Sequence, residues 1–183
     1  HDALPILLAA RRTQKGFDDW ALVSASQLLD AAHRIKLGGG TWQTVVDAVQ
    51  EPIMALLGFF IGDGHSHDGG TPTFRLRKSR EIEFLYEQAH LAGYEVTRRG
   101  DRFYLLADED FRLWTKHCYD ENGQKVIPRD LLDLGRGDLA ALMSGLMASD
   151  GSVSARGKQT YTTTSATLAG QVQELAVKLG TGA

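Results

Sequence analysis

One short pattern occurs twice in this sequence, and it restricts the possible folds more than any other feature. Residues 56–64 and 143–151 are each an apolar segment that carries small residues and ends in Asp-Gly. The second aspartate, Asp150, follows the first, Asp63, by 87 positions. Small residues on one face let two helices pack with their backbones close together. The repeat therefore predicts two paired helices that place two carboxylates side by side.

The small residues also indicate which helix faces meet. Gly58 and Gly62 are four positions apart, so they share one face of the first helix. By the same spacing, we expect Ser144 and Ala148 to form the matching face of the second helix. Glycine inside a helix costs about 1 kcal/mol relative to alanine, and close packing against a partner offsets that cost. Asp138 is placed to cap the start of the second helix.

The segments after each motif also match, which predicts two α+β halves of similar design. After the first motif, the pattern predicts a strand at 73–77 and a helix at 80–92 capped by Ser79. After the second, it predicts a strand at 159–163 and a helix capped by Ser165. The apolar stripes of these helices are Ile82, Leu85, Tyr86 and Ala89, and Leu168, Val172, Leu175, Ala176 and Leu179. By proportion, we expect about 40 further residues after the second half.

The first half contains further elements before the second motif begins. Strands are predicted at 94–99 and 102–107, joined by a turn at Gly100-Asp101, and a helix is predicted at 109–119. A short apolar segment at 127–134 then leads to the second motif.

These elements predict a main domain at 49–183, with halves at about 49–135 and 136–183. Residues 1–48 belong to neither half and are expected to form a small β-rich segment with a linker. The elements predicted in and just after that segment are a strand at 20–23 and helices at 26–32 and 41–49.

Composition and charge exclude several classes of protein. The net charge of −3 gives no bulk signal for nucleic acid, so contact with DNA requires clustered basic residues. Cys118 is the only cysteine, which excludes a disulfide framework and a cysteine-based zinc site and fits a reducing compartment such as the cytoplasm. No apolar run reaches the roughly 18 to 20 residues that a membrane span needs, so we expect no membrane association.

The two aspartates define a candidate metal site. Each ends its helix and precedes a glycine, Gly64 or Gly151, which we expect to form a left-handed cap. Helix C-termini carry partial negative charge, so two such ends with a carboxylate each repel unless a cation lies between them. Carboxylate, carbonyl and water oxygens favour Mg²⁺, which activates water for phosphodiester hydrolysis. In the alternative, each Asp-Gly is an ordinary turn after a core helix, but two matching copies favour the metal site.

These residues resemble the LAGLIDADG homing endonuclease family. The resemblance is close at 57–64 and 144–151 and extends to 163–165. Residues 125–128, Lys-Val-Ile-Pro, are similar to the Lys-x-Ile-Pro stretch of intein-encoded members. The resemblance implies a pseudo-two-fold pair of αββαββα halves whose antiparallel strands form a saddle over the major groove of double-stranded DNA. The implied activity is a Mg²⁺-dependent double-strand break, made by a monomer in a long asymmetric site.

The resemblance also implies the functional residues. Asp63 and Asp150 match the family's catalytic acids and, with Gly62 and Ser149, would hold two or more divalent ions. Lys125 matches its active-site lysine, and a second lysine is expected later in the second half. The residues expected to contact DNA are Thr73, Arg75, Arg77, Lys78, Arg98, Arg99, Arg102, Tyr161 and Thr163. Their basic clusters agree with that role, because cations on a sheet meet phosphates and base edges.

Residues 1–50 resemble, more weakly, the flank of an intein splicing domain. His1 would then be the histidine that assists the first acyl shift, and the partners would be the host exteins. The sequence carries neither an N-terminal nucleophile nor a terminal His-Asn, so we do not expect this segment to splice by itself.

Other interpretations stay open beside the nuclease. The domain could instead be a DNA-binding module without cleavage, or the scaffold of a splicing domain, although the intact aspartate pair and lysine favour the nuclease. The cluster His65, His67 and Asp68 is interpreted as a polar loop rather than a zinc or nickel site. Cys118 and its neighbour His117 cannot face each other on a helix, so we expect a buried thiol rather than a nucleophile.

Overall fold

The computed structural model describes residues 6–13, 16–17, 21–24, 33–35, 51–67 and 70–181, the first four segments by their backbone. The chain forms two compact units, one of residues 1–38 and one that begins at Gly39. None of the helices in the described ranges is long and apolar enough to cross a membrane.

The first unit contains an antiparallel sheet. Its strands are β1 (Ile6–Thr13), β2 (Gly16–Phe17), β3 (Ala21–Ser24) and β4 (His33–Ile35). Strand β1 pairs antiparallel with each of the other three. The strand predicted at 20–23 corresponds to β3, whereas His1 and the helices predicted at 26–32 and 41–49 lie outside the described residues.

The second unit mixes helices with antiparallel sheet, as the sequence predicts. Its helices are α1 (Glu51–Asp63), α2 (Ser79–Leu91), α3 (Glu109–His117), α4 (Arg129–Leu132), α5 (Arg136–Ser149) and α6 (Ala166–Leu179). Its strands are β5 (Gly64–His65), β6 (Thr73–Arg75), β7 (Glu95–Arg99), β8 (Arg102–Leu106), β9 (Gly151–Val153) and β10 (Gln159–Tyr161). The first half forms a sheet in the order β5-β6-β8-β7, and the second half forms the β9-β10 hairpin.

Helices α1 and α5 are the centre of this unit. A side chain at Gly58 would meet the backbone of Leu142 and Leu146, and one at Gly145 would meet the backbone of Ala55 and Phe59. Each helix therefore supplies a glycine where the other helix's backbone passes. This close approach confirms the predicted pairing of the two motif helices.

The face predicted for α5 is wrong by one residue. Gly145 and Ser149 are buried and face α1, whereas Ser144 is exposed and Ala148 only partly buried. Ser149 lies against Gly62, so the small residues of the two helices still meet. The error arises because α5 carries apolar residues around most of its circumference, which leaves no clear polar face to orient it.

The hydrophobic core surrounds α1, in which every residue from 54 to 61 is buried. Phe74 and Phe103 of the sheet and Leu85 of α2 pack around it in the first half. Leu168 and Leu175 of α6 belong to the same core. Burial ends at Ile61, and the carboxylate of Asp63 at the C-terminal end of the helix is only partly buried.

Several helix ends differ from prediction, and others agree. Helix α2 begins after Lys78 rather than Ser79, and α5 begins after Gly135 rather than at Asp138, in both cases without a side-chain cap. The Ser165 hydroxyl caps α6 as predicted, accepting a hydrogen bond from the Leu168 N–H at 3.2 Å. Gly180 ends α6 in the left-handed conformation.

The glycines after the motif aspartates serve close packing and not a left-handed cap. Neither Gly64 nor Gly151 has a positive φ, and each begins a strand instead. A side chain at Gly64 would meet Phe60, and one at Gly151 would meet Met147. At both positions, the last turn of the preceding helix therefore leaves no room for a side chain directly after the aspartate.

Candidate metal and nucleic-acid site

The two motif aspartates lie together at one end of the α1–α5 pair. Asp63 is the last residue of α1, and Asp150 is the C-cap of α5. Gly62 lies so close to α5 that a methyl group added there would be 3.4 Å from Oδ2 of Asp150. The fold thus brings together the two carboxylates that the repeated motif singled out.

The electrostatics of this pair disfavour the ionised form of both carboxyl groups. Burial, and after it the charge of Asp150, raises the pKa of Asp63 from 3.8 to about 6. Burial also raises the pKa of Asp150. A raised carboxyl pKa means that the ionised form is disfavoured where it stands. A bound cation would reverse that preference.

Three charged residues at the start of α2 face the aspartates. The Glu81 carboxylate is only 6% exposed and accepts a hydrogen bond from Lys78 Nζ at 2.6 Å. Arg80 Nη2 reaches the carbonyl oxygen of Gly151 at 3.4 Å. After burial, Glu81 adds to the raised pKa of both aspartates while Lys78 lowers it. Sequence reasoning assigned only Lys78 here, because nothing local marks Glu81 as buried.

Lys125 lies beside the end of α1, held by two aromatic rings. Its Nζ donates to the carbonyl oxygen of Phe60 at 2.8 Å and lies 3.4 Å from the centroid of the Phe60 ring and 4.4 Å from that of Tyr119. These contacts favour the ammonium form, but burial outweighs them and lowers the pKa of Lys125 to about 7. The amine therefore titrates near neutral pH.

A cavity of about 400 Å³ connects Lys125 with Asp150. Its polar lining includes Gly62, Gln124, Lys125, Asp150, Thr163 and Ser165. Thr163 is thus placed in this cavity, where its hydroxyl accepts a hydrogen bond from the Ser165 N–H at 3.2 Å. The cavity gives small polar ligands access to one of the two carboxylates.

A second cavity, of about 390 Å³, opens beside the other carboxylate. It is lined by Asp63, His65, Thr73, Phe74, Arg75, Arg102 and Tyr104. It runs from the exposed face of the first-half sheet to the end of α1. The strand face and the carboxylate pair therefore adjoin the same space.

Arginines form a row across that sheet face. Arg102 of β8 lies directly opposite Arg75 of β6 on one side and Arg99 of β7 on the other. Asp101 compensates part of this charge through Arg75, with Nε and Oδ2 2.7 Å apart, and more distantly through Arg77. Like charges directly opposite one another destabilise a sheet. A polyanion laid on this face would relieve that repulsion.

Arg98 does not share the arginine face. It lies opposite the buried Phe103, and neighbouring residues of a strand point to opposite sides of the sheet. Its guanidinium lies 5.1 Å from the centroid of the Phe103 ring, and its Nε donates to the carbonyl oxygen of Gly100. Its predicted contact with DNA stays a prediction from sequence that this placement does not favour.

The structure also bears on the histidine cluster and the cysteine, for which the sequence predicts no catalytic or metal-binding role. His65 and His67 are exposed, and Asp68 lies outside the described residues. The thiol of Cys118 is buried and donates to the carbonyl oxygen of Trp114, and burial raises its pKa to about 12. A protonated, buried thiol is no nucleophile.

The donor set at the aspartates fits a hard divalent cation. Within residues 51–67 and 70–181, no group of three or more His, Cys, Asp or Glu side chains is arranged to hold a metal. Two carboxylates suffice for Mg²⁺, which keeps several water ligands and is usually bound by one or two carboxylates with substrate phosphates. Burial raises the pKa of both carboxyl groups, and the charge of Asp150 raises that of Asp63 further; a bound cation would lower both pKa values.

One family model matches part of the chain. Residues 138–183, which include most of α5 and all of β9, β10 and α6, match the model described as a LAGLIDADG-like domain. No curated protein matches the chain.

Two solved structures are similar to it at low identity. One is the N-terminal LAGLIDADG domain of DUF199/WhiA, at 14% identity and a TM-score of 0.47, over 73% of this chain and 68% of that one. The other is full-length DUF199/WhiA from Thermatoga maritima, at 17% identity and a TM-score of 0.41, over 63% of this chain and 38% of that one.

Proposed function

We propose that this chain binds double-stranded DNA and cleaves it by metal-dependent phosphodiester hydrolysis, as a site-specific endonuclease. The observation that carries the proposal is the pairing of Asp63 with Asp150 at the joined ends of α1 and α5. Two neighbouring carboxylates of raised pKa are unfavourable in a structural role, because burial disfavours the charge of both and Asp150 further disfavours that of Asp63. Such arrangements are typical of functional sites.

Asp63 and Asp150 would hold Mg²⁺, with Gly62 and Ser149 as the further residues predicted at the metal site. The cation would lower the pKa of a bound water and stabilise the charge on the leaving oxygen. The protein's share is to fix the two carboxylates, which the close packing of Gly58 and Gly145 does. The cavities beside them, of about 400 and 390 Å³, would offer space for a phosphate group of the DNA.

Lys125 supports the reaction from the cavity beside Asp150. Its amine sits between the Phe60 and Tyr119 rings, which fix its position, while burial leaves it partly neutral at pH 7. The negative charge of a scissile phosphate in that cavity would favour its protonated form. The ammonium would then stabilise the charge that develops on the phosphate during hydrolysis.

The arginine row supplies the DNA-binding surface. Arg75, Arg102 and Arg99 extend across three neighbouring strands, and Thr73 and Tyr104 lie on the same face. Arginine binds phosphate and guanine edges with two parallel hydrogen bonds. Both motif helices belong to one chain, so the proposed active unit is a monomer.

The test separates binding from cleavage. A library of duplexes with a randomised centre is selected for binding in Ca²⁺ and then incubated with Mg²⁺. We expect the selected duplexes to be cut on both strands by the native chain and to be bound but uncut by Asp63→Ala and Asp150→Ala. Double-strand cleavage retained by either variant would refute the assigned role of the carboxylates.

A second candidate is DNA binding without cleavage, and one observation favours it. Lys78 and Arg80 lie near enough to lower the pKa of Asp63, so protein cations already compensate part of the charge that a metal would compensate. In that case the selected duplexes stay intact in Mg²⁺ and Mn²⁺, and binding does not depend on either ion.

The intein context is a proposal of a different kind. The antiparallel strands β1–β4 agree with the β-rich segment that the weak N-terminal resemblance implied. The reading frame around this sequence tests it. An upstream Cys or Ser nucleophile and a downstream His-Asn, with a host protein interrupted between them, are expected; a frame without them refutes the role in splicing.

A further inference from the structure

The two halves differ at one pair of equivalent positions next to the carboxylates. In the first half, the residue after Asp63 is Gly64, and its cross-strand partner is Phe74. In the second half, the residue after Asp150 is Gly151, and its partner is Tyr161. Phenylalanine and tyrosine differ only by a hydroxyl group. The halves are thus matched in position but not in polarity at this point.

The ring without the hydroxyl is buried against other aromatic rings. Phe74 is 2% exposed and packs against the rings of Phe59 and Phe60, with centroids 5.4 and 6.2 Å away. A phenylalanine is therefore fully compatible with the strand position after the motif. Nothing in the architecture of the repeat requires a tyrosine at the second copy.

The hydroxyl on the other ring is buried and unpaired. Tyr161 packs against the core, and its phenolic oxygen has no hydrogen-bond partner among the residues that the structure describes. The great majority of buried polar groups have a partner in the protein or an ordered water. A buried polar group without a hydrogen bond costs free energy. A phenylalanine, as at Phe74 in the first half, would avoid that cost. The hydroxyl is therefore suited to a partner from outside the chain.

The surroundings identify where that partner would lie. After burial, the charges of Asp150 and then Asp63 raise the pKa of Tyr161, so the phenol lies within electrostatic reach of both carboxylates. A raised pKa keeps the phenol protonated, as a hydrogen-bond donor, at any ordinary pH. The strand register agrees with this, because the backbone of Tyr161 lies opposite the residue that directly follows Asp150.

We propose that the Tyr161 hydroxyl donates a hydrogen bond to a water held with a divalent cation at Asp63 and Asp150. Tyr161 is then a positioning residue that orients this water from the second half alone, since Phe74 offers no hydrogen bond from the first. The inference rests on the proposed metal site but not on DNA cleavage. It also makes the two halves chemically unequal, although their backbones repeat.

The test uses Mg²⁺ alone, with two tyrosine variants of the full chain. Tyr161→Phe removes the unpaired hydroxyl, and Tyr94→Phe is the matched control, because the Tyr94 hydroxyl already donates to Asp108 at 2.9 Å. Thermal unfolding is measured in EDTA and in Mg²⁺, and Mg²⁺ affinity is measured by calorimetry.

In EDTA we expect Tyr161→Phe to melt at or above the temperature of the native chain, and Tyr94→Phe to melt below it. In Mg²⁺ we expect Tyr161→Phe to bind the ion about threefold to tenfold more weakly, as the loss of one hydrogen bond implies. Tyr94→Phe should bind it as the native chain does.

Several outcomes would overturn the inference. A loss of stability of Tyr161→Phe in EDTA would show that the hydroxyl has a partner within the protein. Equal Mg²⁺ affinity of Tyr161→Phe and the native chain would show that it touches no ligand of the ion, and an effect seen only with DNA and Ca²⁺ present would assign it to a phosphate instead. No binding of Mg²⁺ by the native chain would remove the premise.

These results are separable from those on cleavage. A native chain that binds Mg²⁺ through Tyr161 but never cuts DNA refutes the endonuclease and leaves this inference standing. A Tyr161→Phe variant that cuts DNA as well as the native chain does would refute this inference and leave the endonuclease standing. If both stand, Tyr161→Phe should slow one strand more than the other and accumulate nicked plasmid.

Discussion

Gly58 and Gly145 occupy reciprocal positions, each pressed against the backbone of the helix that carries the other. Gly58 meets α5 at Leu142 and Leu146, and Gly145 meets α1 at Ala55 and Phe59. The atoms on both sides are main-chain atoms, which cannot move aside as a flexible side chain can. This contact fixes the distance between the helices and hence between the carboxylates at their ends.

Substitution of Gly145 by alanine should therefore destabilise the fold. A Cβ there would lie 2.6 Å from the Phe59 nitrogen and 2.9 Å from the Ala55 carbonyl carbon. We expect a net loss of roughly 2 kcal/mol or more in the free energy of unfolding, because overpacking outweighs the gain of about 1 kcal/mol in helix propensity. Urea unfolding followed by circular dichroism measures it.

Gly170→Ala is the matched control, on the exposed face of α6. A Cβ at Gly170 has no heavy atom within 4 Å among the described residues, so only the propensity gain remains. We expect this variant to be more stable by up to about 1 kcal/mol. Equal effects of the two substitutions would contradict the close approach of α1 and α5.

Asp63→Asn should stabilise the metal-free protein at pH 7. The folded pKa of Asp63, about 6, exceeds its ordinary value of 3.8, so the native state binds more protons than the unfolded state between these values. The stability of the native chain therefore falls as the pH rises through that window. We expect a gain of about 1 kcal/mol above pH 6, after allowance for partial exposure, and none at pH 3.5.

The comparison requires unfolding curves for both chains in EDTA from pH 3.5 to 7.5. Mg²⁺ should then stabilise the native chain much more than Asp63→Asn, and so reverse their order. A difference in stability that is constant across this range would show that the raised pKa is not the cause.

Lys125→Met should stabilise the protein at neutral pH and below. Burial holds the folded pKa of Lys125 near 7, while the unfolded side chain titrates near 10.5, so the unfolded state binds more protons between the two. Native stability therefore rises with pH across that window. We expect the methionine variant to be more stable by roughly 2 kcal/mol at pH 6, and this advantage to shrink by more than half at pH 9.

Denaturant titrations at pH 6, 7.5 and 9 measure this trend. Lys158→Met, at an exposed position between β9 and β10, is the control for removing a lysine. An advantage of Lys125→Met that does not depend on pH would mean that the amine is charged throughout.

Arg102→Ala should weaken DNA binding in a salt-dependent way, and Arg98→Ala should do so much less. Arg102 stands in the middle of the arginine row, whereas Arg98 lies on the opposite side of the sheet. Loss of one phosphate contact lowers the slope of log affinity against log salt by about 1. Fluorescence anisotropy with one labelled duplex at four salt concentrations gives both slopes. A larger change for Arg98→Ala would place the DNA on the other face.

Much of the architecture follows from the repeated motif. Two copies with the same downstream order were enough to predict the α1–α5 pair, the strands and helices after each motif, and the cap at Ser165. These features depend on local chemistry or on the repeat, both of which are visible in a single sequence. The same reasoning placed Asp63 beside Asp150 without any knowledge of the loops between them.

The parts that failed depend on contacts between distant segments. Helix α5 is apolar on most sides, so its sequence does not indicate the rotation that turns Gly145 rather than Ser144 toward α1. The burial of Glu81 and the approach of Arg80 to Gly151 arise only when α2 docks. Likewise, Arg98 and Arg99 are two adjacent arginines that the sequence does not distinguish, and only the strand register assigns them to opposite faces.

The complete burial of α1 has a consequence for biosynthesis. Residues 54–61 need neighbours on every side, and the helix that covers one of those sides begins only at Arg136. On a ribosome, the first motif therefore emerges many codons before its partner and exposes a strip of leucine, phenylalanine and isoleucine to solvent or to a chaperone. The burial of α1, which holds the paired carboxylates in place, also makes the half-translated polypeptide prone to aggregation.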